Sequence, residues 1–468
     1  MRGIVGAVVG VVVGVLVVVA AVVVTVTVPR TADGSPTAAP PTEASEDPYP
    51  DIVPLATTPT PRWSVPMSDV GLPEDQRSLV RPDVLAANTT TVIGGTEGYD
   101  AALMAFDPLT GEQKWPKVSD FRAEACEFSR DGRLACVGRG ADEATADVAF
   151  LDVASGQVVA TKPVHLGERS TGPQLQSAGD GFLVSTRYFV EKENRYALSM
   201  TWLSSDGSRS WEQKPPPGFY EPSLSEAGNV VAISDRWRAV RVFALDTGEL
   251  VYDSVEDQKN AAREERTAFF AVAPVRTGFA VSIGAGTPRT MIYDGKGARR
   301  GVIEGFGLAY SPPGSEGDLI PVERDDGRDN TTIGVASTEN LEVIATTTAA
   351  HGLSRVKILH DRFLLGNRHG EDDWTVLDVR HPEQVRAVAP GDTTLMAFDG
   401  TRAFFADNSG SQGRVPYVFG WDLATGRQVW EIGKRYSEAH RDLRFVGPYL
   451  FRMQSGDPDE ASITRLGA

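Results

Sequence analysis

Cys126 and Cys136 are the only two cysteines in the chain. Between them runs Glu127-Phe128-Ser129-Arg130-Asp131-Gly132-Arg133-Leu134-Ala135, in which Asp131-Gly132 is a turn signal between two short apolar runs. A hairpin whose loop is Arg130 to Gly132 sets position 126 opposite position 136. A cross-strand pair of the non-hydrogen-bonded kind is close enough for a disulfide. That bond requires an oxidising compartment; without one the same residues are two buried thiols of one hairpin. Two ligands at this spacing with no histidine nearby make no closed metal shell.

Other chemistry-bearing residues do not converge. The histidines (His165, His351, His360, His369, His381 and His440) are scattered. The densest ligand-like group is His369-Gly370-Glu371-Asp372-Asp373, and a second acidic stretch runs from Glu323 to Asn330. Neither has the spacing of a calcium loop, and both read as solvated hairpin tips. The Gly284-Ala285-Gly286 and Gly305-Phe306-Gly307 pairs lack a third glycine and a following helix, so they read as turns. No nucleophile elbow, zinc-protease helix or Walker loop occurs. No catalytic, cofactor-binding or metal-binding residue is assigned. Two segments read as protruding: the charged stretch Val255 to Arg266, and Lys214-Pro215-Pro216-Pro217-Gly218-Phe219-Tyr220, whose aromatics beside prolines suit a contact surface.

The formal net charge of −17 argues against a phosphate-backbone partner, since nucleic acid is bound through Lys and Arg. It equally disfavours broad contact with anionic lipid headgroups. With 468 residues the chain exceeds one small core. Its 47 glycines and 30 prolines supply many turns, and long helical patterns are scarce beyond the amino terminus, so the folded part reads as all-β.

Residues 4–28 hold no charge and no proline, long enough for a tilted transmembrane helix. Residues 1–3 then form a short cytoplasmic end. A cleaved signal peptide is the rival, but its apolar core is shorter and ends in a small-residue cleavage site. Residues 29–61, rich in Pro, Thr and acidic side chains, read as an extended disordered linker. The flanking basic residues are nearly balanced, so orientation rests on the cysteine pair, which favours an extracytoplasmic carboxy-terminal domain.

A repeat organises residues 62–468. Asp107 to Gly111 is followed by Trp115, and Asp152 to Gly156 by Ala160. Asp246 to Gly248, a shorter turn, is followed by Tyr252, and Asp422 to Gly426 by Trp430. A looser copy carries Asp206-Gly207 with Trp211, and three weaker ones span Ile292–Gly297, Val335–Asn340 and Val376–Pro382. From Gly111 to Gly426 the copies recur about every 45 residues, the length of one four-stranded propeller blade. In the stronger copies a strand ends at an Asp that can accept backbone N–H groups, and glycine supplies a left-handed position. The aromatic begins the next strand, where it can pack between blades.

This motif resembles the PQQ-like (quinoprotein-type) repeat, whose signature is Ala-x-Asp-x-x-Thr-Gly-x-x-x-Trp. The copies at Asp107 and Asp422 match it best. The resemblance implies a β-propeller of four-stranded blades, commonly eight, and eight are expected here, with seven and nine as neighbouring counts. Arg62-Trp63-Ser64-Val65-Pro66 reads as a lone last strand that closes the ring against the carboxy-terminal tail. The Val/Ala-rich span and Thr/Pro-rich spacer resemble those of actinobacterial membrane proteins. Active quinoprotein dehydrogenases carry calcium beside PQQ and a disulfide of adjacent cysteines. This chain has no adjacent pair, and no cofactor is expected. The expected function is a non-catalytic binding or protein-interaction scaffold on the cell membrane, for a protein or a small cell-envelope ligand. The alternatives are a quinone-binding oxidoreductase with PQQ and calcium, or a ligand sensor acting through a partner.

Overall fold

The computed structural model describes residues 52–72, 80–96, 102–115, 121–220, 222–235, 239–256, 270–283, 287–309, 317–327, 330–349, 355–367, 373–390, 393–407, 417–433 and 441–468. The segment 4–28, expected to span a membrane, and most of the expected linker lie outside them, as do His369 to Asp372, Gly284 to Gly286 and most of Val255 to Arg266. Among the described residues no helix is long and apolar enough to cross a membrane.

Among the described residues, strand pairing resolves into nine antiparallel sheets, eight of four strands and one of three. Each is a meander, because strands with short polar turns between them pair with their sequence neighbours. The first blade has Pro82–Ala87, Val92–Thr96 and Leu103–Phe106. Its outer strand is reduced to a single bridge from Phe106 to Gln113. The second runs from Ala125–Phe128 to Val158–His165, the third from Gln174–Ala178 to Ser210–Gln213, and the fourth from Ser223–Ser225 to Leu250–Asp253. The fifth to eighth begin at Phe270–Val275, Gly307–Leu308, Arg355–Leu359 and Thr393–Phe398. The ninth combines Arg441–Val446, Tyr449–Gln454 and Ser462–Gly467 with Thr60–Pro66 from the other end of the chain. Thr60 faces Gly467 and Pro66 faces Ser462 across that seam.

The core shows that the blades form a closed ring. Apolar side chains gather into nine clusters, and each lies between two consecutive blades. One joins the second and third blades through Val137, Val148, Phe182 and Val184. The last joins the ninth to the first through Phe451, Ile463, Val84 and Phe106. A junction without a partner would leave an apolar sheet face in water, which closure removes.

The expected count of eight is corrected to nine. Each weak copy of the repeat is a whole blade: Ile292–Gly297 lies in the fifth, Val335–Asn340 in the sixth and Val376–Pro382 in the seventh. The ninth carries no turn copy, because the place of that turn falls between the two chain ends. The start of the folded part also lies earlier than residue 62. Ile52 and Leu55 are buried against the eighth and ninth blades, and Val53 N–H donates to the Pro448 carbonyl at 2.9 Å.

Candidate functional site

The repeat residues build the frame. Asp107 accepts backbone N–H groups of Leu109 and Thr110 at 2.8 and 2.9 Å. These bonds to the charged form hold its carboxyl below the usual range. Asp152 takes the N–H and hydroxyl of Ser155 at 2.8 and 2.7 Å, and Asp422 takes the N–H of Thr425 at 2.7 Å. Asp246 differs. The expected shorter turn is in fact the same length, because Gly248 N–H donates to the Ala244 carbonyl at 2.8 Å as Gly111 does to Asp107. Ala244 takes the aspartate position, and Asp246, two residues on, accepts from Asn229 Nδ2 at 3.0 Å. Gly111, Gly156, Gly207, Gly248 and Gly426 all take positive φ, between 67° and 76°.

Each motif tryptophan serves the following blade. Trp115 Nε1 donates to the Val153 carbonyl at 2.9 Å, and Trp211 Nε1 to Leu245 at 2.8 Å. Trp63, on the closing strand, donates to Pro108 at 2.9 Å. The aromatic rings lie beneath the turn glycines, so a Cβ on Gly156 would come within 2.6 Å of Trp115 and one on Gly248 within 2.7 Å of Trp211. Trp430 faces the ring seam, where the next turn is missing, and donates to Leu55 at 2.7 Å. The amino-terminal segment thereby supplies the carbonyl that a turn supplies elsewhere.

Cys126 and Cys136 stand directly opposite each other in the second blade and are bonded. Beside them Glu127 lies on the innermost strand. Cys126 and Phe128 pack towards the first blade, so the alternation of side chains turns Glu127 towards the third. Desolvation, with a smaller contribution from Glu226, pushes its carboxyl up to about 7. Glu226 accepts the hydroxyl of Ser177 at 3.2 Å. Glu323, in the acidic stretch of the sixth blade, is likewise pushed up to about 7 by desolvation and Asp325. At the ring seam Arg444 grips Asp83 at 3.2 Å, tying the inner strands of the ninth and first blades. Among the described residues no three His, Cys, Asp or Glu side chains gather as metal ligands.

The two faces of the ring are unlike. A meander places the first and third connections of every blade on one face and the second and inter-blade connections on the other. The first face is built mostly of tight turns, such as 179–180, 276–277 and 447–448, with 309–318 as the long exception. On the second face the described strand ends are separated by longer stretches of sequence, 67–81, 214–222, 254–269 and 408–416. The chain enters the ring at Ile52 on the tight-turn side, beside Asp399 and Pro448.

On the loop-bearing face the third blade stands out. Its two middle strands, Gly181–Val190 and Arg195–Ser204, have ten residues each and project as a hairpin. The row facing the fourth blade begins in the core with Leu183, Trp202, Met200 and Leu198. It continues outward as Arg187, paired opposite Leu198, and Phe189, paired opposite Tyr196. The Lys214 to Tyr220 segment crosses this row. Gly218 N–H donates to Tyr196 O at 2.9 Å and Tyr220 N–H to Ser234 O at 3.1 Å. The Arg187 guanidinium is therefore held near two rings, 4.9 Å from the centroid of Tyr196 and 5.1 Å from that of Tyr220. Phe189 meets Tyr196 edge-on at 5.4 Å. Next to this group, Arg241 lies over Phe219 and is paired with Asp253 at 3.0 Å.

Sequence reasoning singled out the Pro-rich segment and missed Arg187. The available signal was Arg187-Tyr188-Phe189-Val190 ahead of the polar turn Glu191 to Asn194, which marks an aromatic hairpin end. That a segment leading to the next blade would lay Tyr220 beside Arg187 is a tertiary fact.

A family model described as a conjugation-associated nine-bladed β-propeller domain matches residues 37–468. No curated protein matches. Among solved structures, BamB from Moraxella catarrhalis is similar at 12% identity and a TM-score of 0.40, covering 88% of this chain and 98% of that one. The carboxy-terminal WD40 domain of Sif2 gives 9% identity and a TM-score of 0.45, covering 88% and 99%. The computationally designed Ika8 protein gives 12% and 0.43, covering 83% and 96%.

Proposed function

Because the chain belongs to the family of conjugation-associated nine-bladed β-propeller domains, we propose that it is a non-catalytic protein-interaction scaffold of a conjugation apparatus. In this reading it is held at the cell membrane by residues 4–28, with the propeller extracytoplasmic. The observation that carries the proposal is the difference between the two faces. A face of tight turns is fixed by the repeat, whereas the opposite face offers long connections whose sequence the fold leaves free. The chain enters the ring on the tight-turn side, so the loop-bearing face is left for a partner. The disulfide supports an oxidising location, and the uncharged span of 4–28 supports the anchor.

Site-specific photocrosslinking in intact cells tests the reading. A photoreactive residue replaces exposed positions on the loop-bearing face (Lys192, Tyr196, Lys214) or on the tight-turn face (Leu109, Thr425). Discrete protein adducts are expected from the first set. Adducts only from the second, or none above background at any position, would refute the proposal.

A further inference from the structure

We propose that the third-blade hairpin holds a carboxylate-binding site, with Arg187 as its cation, that takes an acidic side chain of a polypeptide partner. The inference deepens the scaffold reading, since it names the chemistry of one contact on the loop-bearing face.

Arg187 is half-buried, lies near two tyrosine rings, and makes no ion pair or side-chain hydrogen bond with any described residue. Its Nε is buried without an acceptor. That state is unusual on two counts. A buried N–H normally finds an acceptor, and an arginine in a protein with a net charge of −17 has abundant carboxylates to choose from. Neighbouring arginines take such partners: Arg169 pairs with Glu191 at 2.6 Å and Arg241 with Asp253 at 3.0 Å. Asp235 flanks Gly218 in the crossing segment, yet it does not pair with Arg187.

The aromatic neighbours explain how the cation is held without a counter-ion. Rings within about 6 Å of a guanidinium stabilise the charge and restrict the plane. A guanidinium held in this way is preorganised for a planar, two-oxygen acceptor. The Nη groups remain to bind it, since Nε is enclosed. Carboxylate fits better than phosphate, because Asp235 lies beside the crossing segment and Glu193 is in the turn of the same hairpin, and these charges would repel a dianion more strongly. Beside the cation, Tyr196 is 43% exposed and packs with Phe189, which offers an apolar surface to a residue adjoining the acidic one. The preferred sequence is therefore an aromatic or large apolar residue next to Glu or Asp.

The test uses the full chain in detergent, labelled with 3-fluorotyrosine, with the Tyr196 and Tyr220 resonances assigned by Tyr→Phe variants. The probes are acetyl-Phe-Glu-Phe-amide, its Gln analogue and phenyl phosphate, read by fluorine NMR. Saturable shifts of both resonances with the Glu peptide are expected, at least tenfold weaker with the Gln analogue and in Arg187→Gln, and intermediate in Arg187→Lys. No shift with the Glu peptide, equal shifts with both peptides, or unchanged binding by Arg187→Gln would overturn the proposal. A response to phenyl phosphate alone would overturn the carboxylate assignment. Circular dichroism of each variant reports folding, and Arg187→Lys keeps the test informative if the Gln variant unfolds. The titration involves no cellular partner, so its failure leaves the crosslinking test of the scaffold standing, and the converse holds too.

Discussion

Replacing Glu127 by Gln should stabilise the propeller in alkaline solution and leave it nearly unchanged in acid. The carboxyl titrates near 4.5 in an unfolded chain and is pushed up to about 7 in the ring. Between those values the folded state binds the proton that the unfolded state has lost. Stability therefore falls as pH rises through this window, and the penalty is complete above it. The difference corresponds to about 3 kcal/mol at 1.36 kcal/mol per unit, reduced to about 1–2 kcal/mol because the side chain retains some contact with water. Glutamine is isosteric and cannot ionise, so it removes only the penalty. Urea unfolding of both proteins at pH 4.5 and pH 8, with equal slopes, measures the difference. The Gln variant should gain about 1–2 kcal/mol at pH 8, a gap that closes at pH 4.5. A gap independent of pH, or a loss of stability at pH 8, would show that the carboxylate is solvated or paired and that the reasoning is wrong.

Three further outcomes follow from the frame. Cys126→Ser with Cys136→Ser should cost about 2–3 kcal/mol in urea unfolding, the loop entropy of a bridge with a sequence separation of 10. Gly248→Ala should cost more than about 2 kcal/mol, since it combines a φ of 70° with a methyl 2.7 Å from Trp211; a lowered thermal midpoint checks it. Trp211→Phe keeps most of the ring but loses the bond to Leu245, and should cost about 1–2 kcal/mol in the same assay.

Much of the fold is legible because the repeat puts backbone requirements into side-chain identities. Asp107 and Asp422 must accept N–H groups, Gly111 and Gly426 must sit at positive φ, and Cys126 must face Cys136 once Asp131-Gly132 turns the chain. The count of blades was harder to read. The fifth and seventh blades keep an aspartate that accepts backbone N–H groups, Asp294 from Lys296 and Ala298 and Asp378 from Arg380, but in turns of other length and sequence. The sixth turns at Ser337-Thr338, where the Thr338 N–H and hydroxyl bond to the Asp318 carbonyl. The ninth blade has no copy of the motif turn, whose place falls between the chain ends. Arg187 was illegible for another reason: its setting depends on Tyr220, which local pattern cannot place beside it.

The closing seam has a mechanical consequence. The strand Thr60–Pro66 is among the earliest parts of the ring to be synthesised, and it waits for the last three to complete its sheet. A pull on the chain ahead of Ile52 would load that seam before any other junction. The buried Ile52 and Leu55, with the bonds from Val53 to Pro448 and from Trp430 to Leu55, stand between such a force and the outermost strand. They act as a strain relief, so that tension on the leading segment is borne by two blades before it can unzip the ring.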